Sequence, residues 1–146
     1  MINIAILGFG VVGSGVAEVI STNAKELAER LDGEVINVKH ILDLRTFPDH
    51  PLGDRVTSDF DKILNDDDVF LVVETMGGSH PAYDFSKKAL LAGKSVVTSN
   101  KEVVANFGAE LLSIAREKGV SYLFEASVGG GAILKKSENC RLFCIL

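Results

Sequence analysis

The stretch INIAILGFGVVGSG, residues 2–15, decides how the rest of the chain is read. Ile2, Ile4, Ala5, Ile6 and Leu7 form a continuous apolar run, which suits a parallel strand buried on both faces. Gly8, Gly10 and Gly13 follow as G-x-G-x-x-G where that strand ends, and Val12, Val16, Val19 and Ile20 begin a helical spacing inside the motif. The three glycines act in different mechanical ways. Gly8 allows a tight turn, Gly10 leaves the backbone open to a pyrophosphate, and Gly13 lets the helix lie close to the strand. The helix N-terminus then offers unpaired N–H groups and partial positive charge to phosphates. The motif alone is weak. Set between a clear strand and a clear helix, it points to a dinucleotide rather than to a glycine-rich turn that binds nothing.

The composition bounds the remaining classes. A chain of 146 residues with 47% hydrophobic and 24% charged side chains reads as one globular domain with a genuine core. A net charge of −5 with no basic stripe argues against nucleic acid as a partner. The apolar segments are of strand length or amphipathic, so the expectation is no membrane span, no signal peptide and a cytoplasmic location. Cys140 and Cys144 lack the further Cys or His of a zinc site, and Cys144 falls one place late for a prenylation box.

Past the glycines, a helix is expected over residues 11–31, breaking near Ser21-Thr22-Asn23 and stopping at Asp32-Gly33. Val35, Ile36, Val38, Ile41 and Leu42 make a second strand ending at Asp43. An acid there, about 20 to 30 residues past the last glycine, either receives a ribose 2′-hydroxyl or is a solvated loop residue. Arg45, two places on, suits a 2′-phosphate instead, so the two residues pull cofactor choice in opposite directions. Pro48, Pro51 and Gly53 mark residues 46–57 as a surface loop, Ser58-Asp59 caps a short helix, and Asn65-Asp66-Asp67-Asp68 reads as a solvated turn.

Residues 69–74, VFLVVE, read as another buried strand, and Thr75-Met76-Gly77-Gly78 follows at once. Glycines beside the first strand would let backbone approach the nicotinamide half of a dinucleotide. His80 precedes Pro81 at a helix start, where capping or surface exposure outweighs catalysis. Ser95-Val96-Val97-Thr98 is the next strand. Lys101 then opens a long helix at the strand's carboxyl end, where ligands bind in open α/β sheets. A cation is unfavourable beside a helix N-terminus, which tilts Lys101 from a surface residue toward a catalytic one. Residues 120–124 form the last strand, and a glycine-rich loop runs from Glu125 to Gly131.

Four stretches, GFGVVGSG at 8–15, VETMGG at 73–78, VVTSNK at 96–101 and FEASVGGG at 124–131, together resemble the nucleotide-binding domain of homoserine dehydrogenase. The resemblance implies an oxidoreductase that interconverts aspartate semialdehyde and homoserine with NAD or NADP, on the route to threonine and methionine. By it, Gly10, Val12 and Gly13 contact the pyrophosphate, while Gly77, Gly78, Thr98 and Ser99 line the nicotinamide side. Lys101 resembles the lysine that touches cofactor and substrate and assists proton transfer. Glu125, Val128, Gly130 and Ala132 resemble a sodium-binding loop that uses mostly backbone oxygens, the ligands a hard cation prefers.

The expected fold is α/β, a Rossmann-type doubly wound parallel sheet of about six strands in three α/β/α layers. Residues 1–131 are expected to form the NAD(P)-binding domain and 132–146 a tail outside the family pattern, as in a truncated or frame-shifted reading of the gene. With no substrate domain, the chain is expected to bind dinucleotide without turnover, taking a small-molecule substrate only if the rest is supplied. The alternatives are a stand-alone nucleotide-binding regulatory module or one half of a split enzyme. Apolar surface left bare by an absent domain predicts a homo-oligomer.

Overall fold

The computed structural model describes residues 1–124. Strand β1 (Ile2–Leu7) leads through Gly8–Gly10 into helix α1 (Val11–Thr22), and α2 (Ala24–Arg30) follows after Asn23. The expected break in the first helix is therefore present. Next come β2 (Ile36–Leu42), a 3₁₀ turn at Gly53–Arg55, β3 (Val56–Thr57) and α3 (Phe60–Leu64). The chain continues through β4 (Val69–Glu74), α4 (Ala82–Leu91), β5 (Ser95–Thr98), α5 (Lys101–Lys118) and β6 (Tyr122–Phe124). The six strands form one parallel sheet in the order β3-β2-β1-β4-β5-β6, the doubly wound arrangement. β3 is an addition to the sequence reading, since residues 46–57 were expected to be loop throughout. A strand of two residues carries too little pattern to be seen in advance.

The continuous apolar run of β1 is explained by burial on both faces. Ala5 and Leu7 join Phe60, Ile63, Val72, Ala89, Leu90, Val96 and Leu111 in the core beneath α3, α4 and α5. Ile4 and Ile6 join Ala17, Ile20, Leu27, Ile41, Leu71 and Val73 beneath α1 and α2. Two register shifts flank β1, between Ile4 and Ala5 on the β2 side and between Asn3 and Ile4 on the β4 side. The extra residues are Lys39 and Phe70, and Phe70 stands half exposed as a result.

The helical spacing of residues 12–20 falls in α1. Its inner face is Gly13, Ala17 and Ile20, whereas Val12 and Val19 are exposed. The spacing marks the inner face only in part, because at Gly13 the helix lies too close to the sheet for any side chain. A Cβ on Gly13 would sit 1.9 Å from the Gly8 carbonyl oxygen. Gly13 keeps that approach close, Val16 and Ile20 pack against the core, and Val11, Val12 and Val19 stay exposed.

A correction concerns the acidic turn. Asp66 is not merely solvated: its carboxylate pairs with Lys39 at 2.8 Å and with His40 Nε2 at 2.7 Å. These contacts, Lys39 first, pull the Asp66 carboxyl down to about 2. The Lys94 ammonium, itself buried, donates to the Asp66 and Val69 carbonyls at 2.7 and 3.2 Å. This cluster ties the α3–β4 turn to β2 and to the start of β5.

Candidate functional site

In this strand order β1 is the topological switch, with its chain neighbour β2 on one side and β4 on the other. Ligands of open α/β sheets bind in the crevice beyond the carboxyl ends of strands at such a point. The residues singled out from sequence lie along that edge in three groups.

The glycine loop comes first. Gly8 has φ +89°, a left-handed conformation that the tight turn requires and that L side chains resist. Gly10 is the N-cap of α1 in extended conformation, and a Cβ there would meet nothing within 4 Å. Space therefore lies above the helix N-terminus. Val12 is half exposed on the first turn, and the close approach at Gly13 is set by the Gly8 carbonyl. Thr75 locks this loop to β4. Its amide donates to the Leu7 carbonyl at 2.9 Å, and its hydroxyl lies 3.0 and 2.8 Å from the Leu7 and Gly8 carbonyl oxygens. Sequence reasoning passed over Thr75, although its place just after a strand paired with β1 is the signal that could have found it.

The second group stands at the end of β2. The Asp43 carboxylate accepts the Phe9 amide at 2.8 Å, the Arg45 amide at 2.9 Å, and the Arg45 guanidinium at 3.0 and 2.9 Å. The Arg45 guanidinium is the largest influence holding the Asp43 carboxyl well below the usual carboxylate range. Arg45 also lies over the Phe47 ring at 5.2 Å. The two residues that sequence set in opposition are thus paired with each other. Beside them opens a cleft of about 430 Å³, lined by Gly8, Leu42, Asp43, Leu44, Arg45, Ser58, Met76, Pro81 and Phe85. It is mostly apolar, with polar groups gathered at the Asp43 end, the pattern of a small-molecule site.

The third group joins the ends of β4 and β5. Glu74, Leu7 and Thr98 stand side by side in the ladder. Glu74 is fully buried, and its carboxylate accepts the Met76 amide at 2.6 Å and the Thr98 hydroxyl at 2.5 Å. Thr98 in turn accepts the Asn100 amide at 2.9 Å. The Asn100 side chain donates to the Met76 and Gly78 carbonyls at 3.1 and 2.7 Å, and caps α5 by accepting the Val103 amide at 3.1 Å. Thr98 therefore holds the loops with its hydroxyl rather than presenting it to the crevice. Gly77, Gly78 and Ser99 are exposed on the two loops this network fastens, and Lys101 is exposed at the start of α5. Glu74 and Asn100 were not singled out from the sequence; a charged residue closing an apolar strand was the available sign.

Other residues separate from the site. His80 Nδ1 lies 2.6 Å from the Asp84 carboxylate on the first turn of α4, in keeping with a helix-start role. Among the described residues no group of three or more His, Cys, Asp or Glu could hold a metal ion. Glu125, Val128, Gly130 and Ala132 lie outside the described residues. No helix among the described residues is long and apolar enough to cross a membrane.

A parallel sheet in this order, with a glycine turn at its switch point and a cleft beside the second strand, defines a dinucleotide-binding domain of the Rossmann class. Residues 8–125 match the family model described as homoserine dehydrogenase, NAD binding domain, and the chain belongs to that family. It is 38% identical over 143 residues to homoserine dehydrogenase of Lactococcus lactis, covering 94% of this chain and 33% of that protein. With the Pseudomonas aeruginosa homoserine dehydrogenase it shares 39% identity over 131 residues, 89% of this chain and 30% of the relative. A crystal structure of S. aureus homoserine dehydrogenase superposes with a TM-score of 0.79 at 41% identity, over 88% of this chain and 33% of that one. The Thiobacillus denitrificans enzyme gives a TM-score of 0.79 at 35% identity, over 86% and 30%. The chain thus spans about a third of the relatives it matches.

Proposed function

We propose that this chain supplies the cofactor-binding part of a homoserine dehydrogenase, holding NAD or NADP for the interconversion of aspartate semialdehyde and homoserine. The observation that carries the reading is the family match over residues 8–125, joined to an open Gly10 position above the α1 N-terminus. In this reading residues 1–131 are the dinucleotide domain. The pyrophosphate rests on the backbone of Gly10, Val12 and Gly13, with Gly8 shaping the turn. Adenine enters the apolar cleft between Leu44 and Phe85, and its ribose meets Asp43. Asp43 becomes free for a 2′-hydroxyl only when Arg45 releases it, and Arg45 so released is placed for a 2′-phosphate. Gly77, Gly78 and Ser99 border the nicotinamide on loops held by Thr98, and Lys101 stands beside them to hold or move a proton of the substrate. Glu125, Val128, Gly130 and Ala132 would add a sodium ion through oxygen ligands.

Hydride transfer needs the aldehyde held about 3 to 3.5 Å from the reacting ring carbon. The chain aligns with only a third of its relatives, and in this reading most of the groups that hold the substrate come from residues outside this alignment. Titration of nicotinamide fluorescence with the 146-residue protein should show saturable binding, and homoserine oxidation by the same material should stay at background. Absence of binding removes the reading. Turnover from protein freed of host enzyme would mean that this chain builds a complete site.

A further inference from the structure

Glu74 is the one buried carboxylate among the described residues, and it sits where the sheet changes direction. Its ladder neighbour Leu7 is followed directly by the Gly8 turn, and its other neighbour Thr98 is followed by Ser99. The pattern of contacts favours its ionised form. One carboxylate oxygen is met by the Met76 amide, a donor only. The other is met by the Thr98 hydroxyl. That hydroxyl already accepts the Asn100 amide, leaving its own proton to donate. Were the carboxyl protonated and donating to Thr98, the Thr98 hydroxyl proton would have no acceptor among these contacts, so the ionised form satisfies every group. Burial is the largest influence and raises the carboxyl from its ordinary value, while the Thr98 hydroxyl, the Met76 amide and Asn100 oppose the rise. A charge kept in so dry a place acts over a longer range than one in water.

We propose that Glu74 is a charge-selective element of the cofactor site: its buried carboxylate favours the cationic ring of an oxidised nicotinamide over the neutral reduced ring. The proposal rests on the dinucleotide reading above, which lays the nicotinamide across the Gly77–Gly78 and Ser99 loops that this carboxylate fastens. A purely structural Glu74 would strengthen binding of both redox forms alike. A charged Glu74 separates them. Lys101, the cation nearest in sequence beyond β5, is exposed, so water screens its opposing effect. Tyr122, whose hydroxyl is buried and pushed up by burial and then by Glu74, stays neutral and offers no compensating charge.

The decisive experiment compares ligands that differ in ring charge, using the full 146-residue chain. NAD+ and benzamide adenine dinucleotide are both planar at the ring, and only the first carries the ring cation. Calorimetric titration of the wild-type protein should show NAD+ bound at least about fivefold more tightly than the benzamide analogue, the scale of one charge pair at partly buried range. In Glu74→Gln, which keeps the size and an acceptor for the Met76 amide, the two affinities should converge by loss of NAD+ binding alone. Equal affinities in the wild type overturn the proposal. So does a folded Glu74→Gln that keeps the wild-type preference, or that weakens both ligands in the same proportion. Should Glu74→Gln lose its fold by circular dichroism, the wild-type comparison decides by itself. Failure of the wild type to bind any of these dinucleotides, NADH included, is a different result, and it removes the dinucleotide reading instead.

Discussion

Gly10 and Gly13 belong to one motif but answer to different forces. Gly13 has no room: a methyl group there would be driven into the Gly8 carbonyl, so Gly13→Ala should cost about 1 to 3 kcal/mol as loop and helix separate. Gly10 has open space and an ordinary extended backbone, so Gly10→Val should leave the melting temperature nearly unchanged while dinucleotide affinity falls roughly tenfold or more. Thermal melts beside fluorescence titrations separate the two, and equal effects on both properties would contradict the division. At the other end of the site, Asp43 and Arg45 neutralise each other. Removing either frees its partner. Asp43→Ala should shift the ratio of NADP to NAD affinity toward NADP by about tenfold, and Arg45→Ala should shift it the other way, since hydrogen bonds to charged groups are worth about 1.5 to 3 kcal/mol. A ratio that neither variant moves would leave the pair with no part in cofactor choice. The glycines were legible because their spacing encodes a turn. The Asp43–Arg45 contact was not, because a sequence shows two opposed charges without showing that they touch.

Among the elements, strands were read more faithfully than helix faces. β1 and β4 are mostly apolar because both sides are largely covered, and that pattern survives any error of register. The face of α1 was legible only in part: Val16 and Ile20 pack on the core as spaced, but the closest approach to the sheet is made by Gly13, kept for its small size. The link between β2 and the α3–β4 turn was hidden for a related reason. An irregularity at Lys39 brings two consecutive residues, Lys39 and His40, to the same aspartate, which strict alternation along a strand would forbid. This link carries a pH signature. Asp66 has a folded pKa of about 2 against an ordinary 3.8, so its contribution to stability is complete above the ordinary value and is lost as pH falls toward 2. Denaturant unfolding between about pH 5 and 2 should show a steeper loss for the wild type than for Asp66→Asn. Parallel curves would place the acid sensitivity elsewhere.

At the scale of the whole molecule, the strand order could be anticipated from the alternation of strand and helix, because a crossover between parallel strands leaves few choices. What covers the sheet could not. α1 and α2 lie over β1 and β2, whereas Val97 of β5 and Leu123 of β6 are only half-buried, and β6 has a neighbour on one side alone among the described residues. We infer that the chain associates with itself through this region, and sedimentation should show species larger than 15.6 kDa that grow with concentration. A monodisperse monomer at all concentrations refutes this. The paired register shifts beside β1 have a consequence for how motion spreads. Below both breaks only Ile2 and Asn3 hold the sheet to the chain's first residue. Above them Ala5–Leu7 run unbroken into the glycine turn. Fraying that begins at the N-terminus should therefore stop at the breaks, because a bulge interrupts the ladder through which opening would propagate. By hydrogen exchange, amides 2 and 3 should trade their protons early and keep that rate when dinucleotide is added. Amides 5–7 should exchange late and slow further, so the strand behaves as two lengths of different stiffness, with the stiffer one reserved for the cofactor.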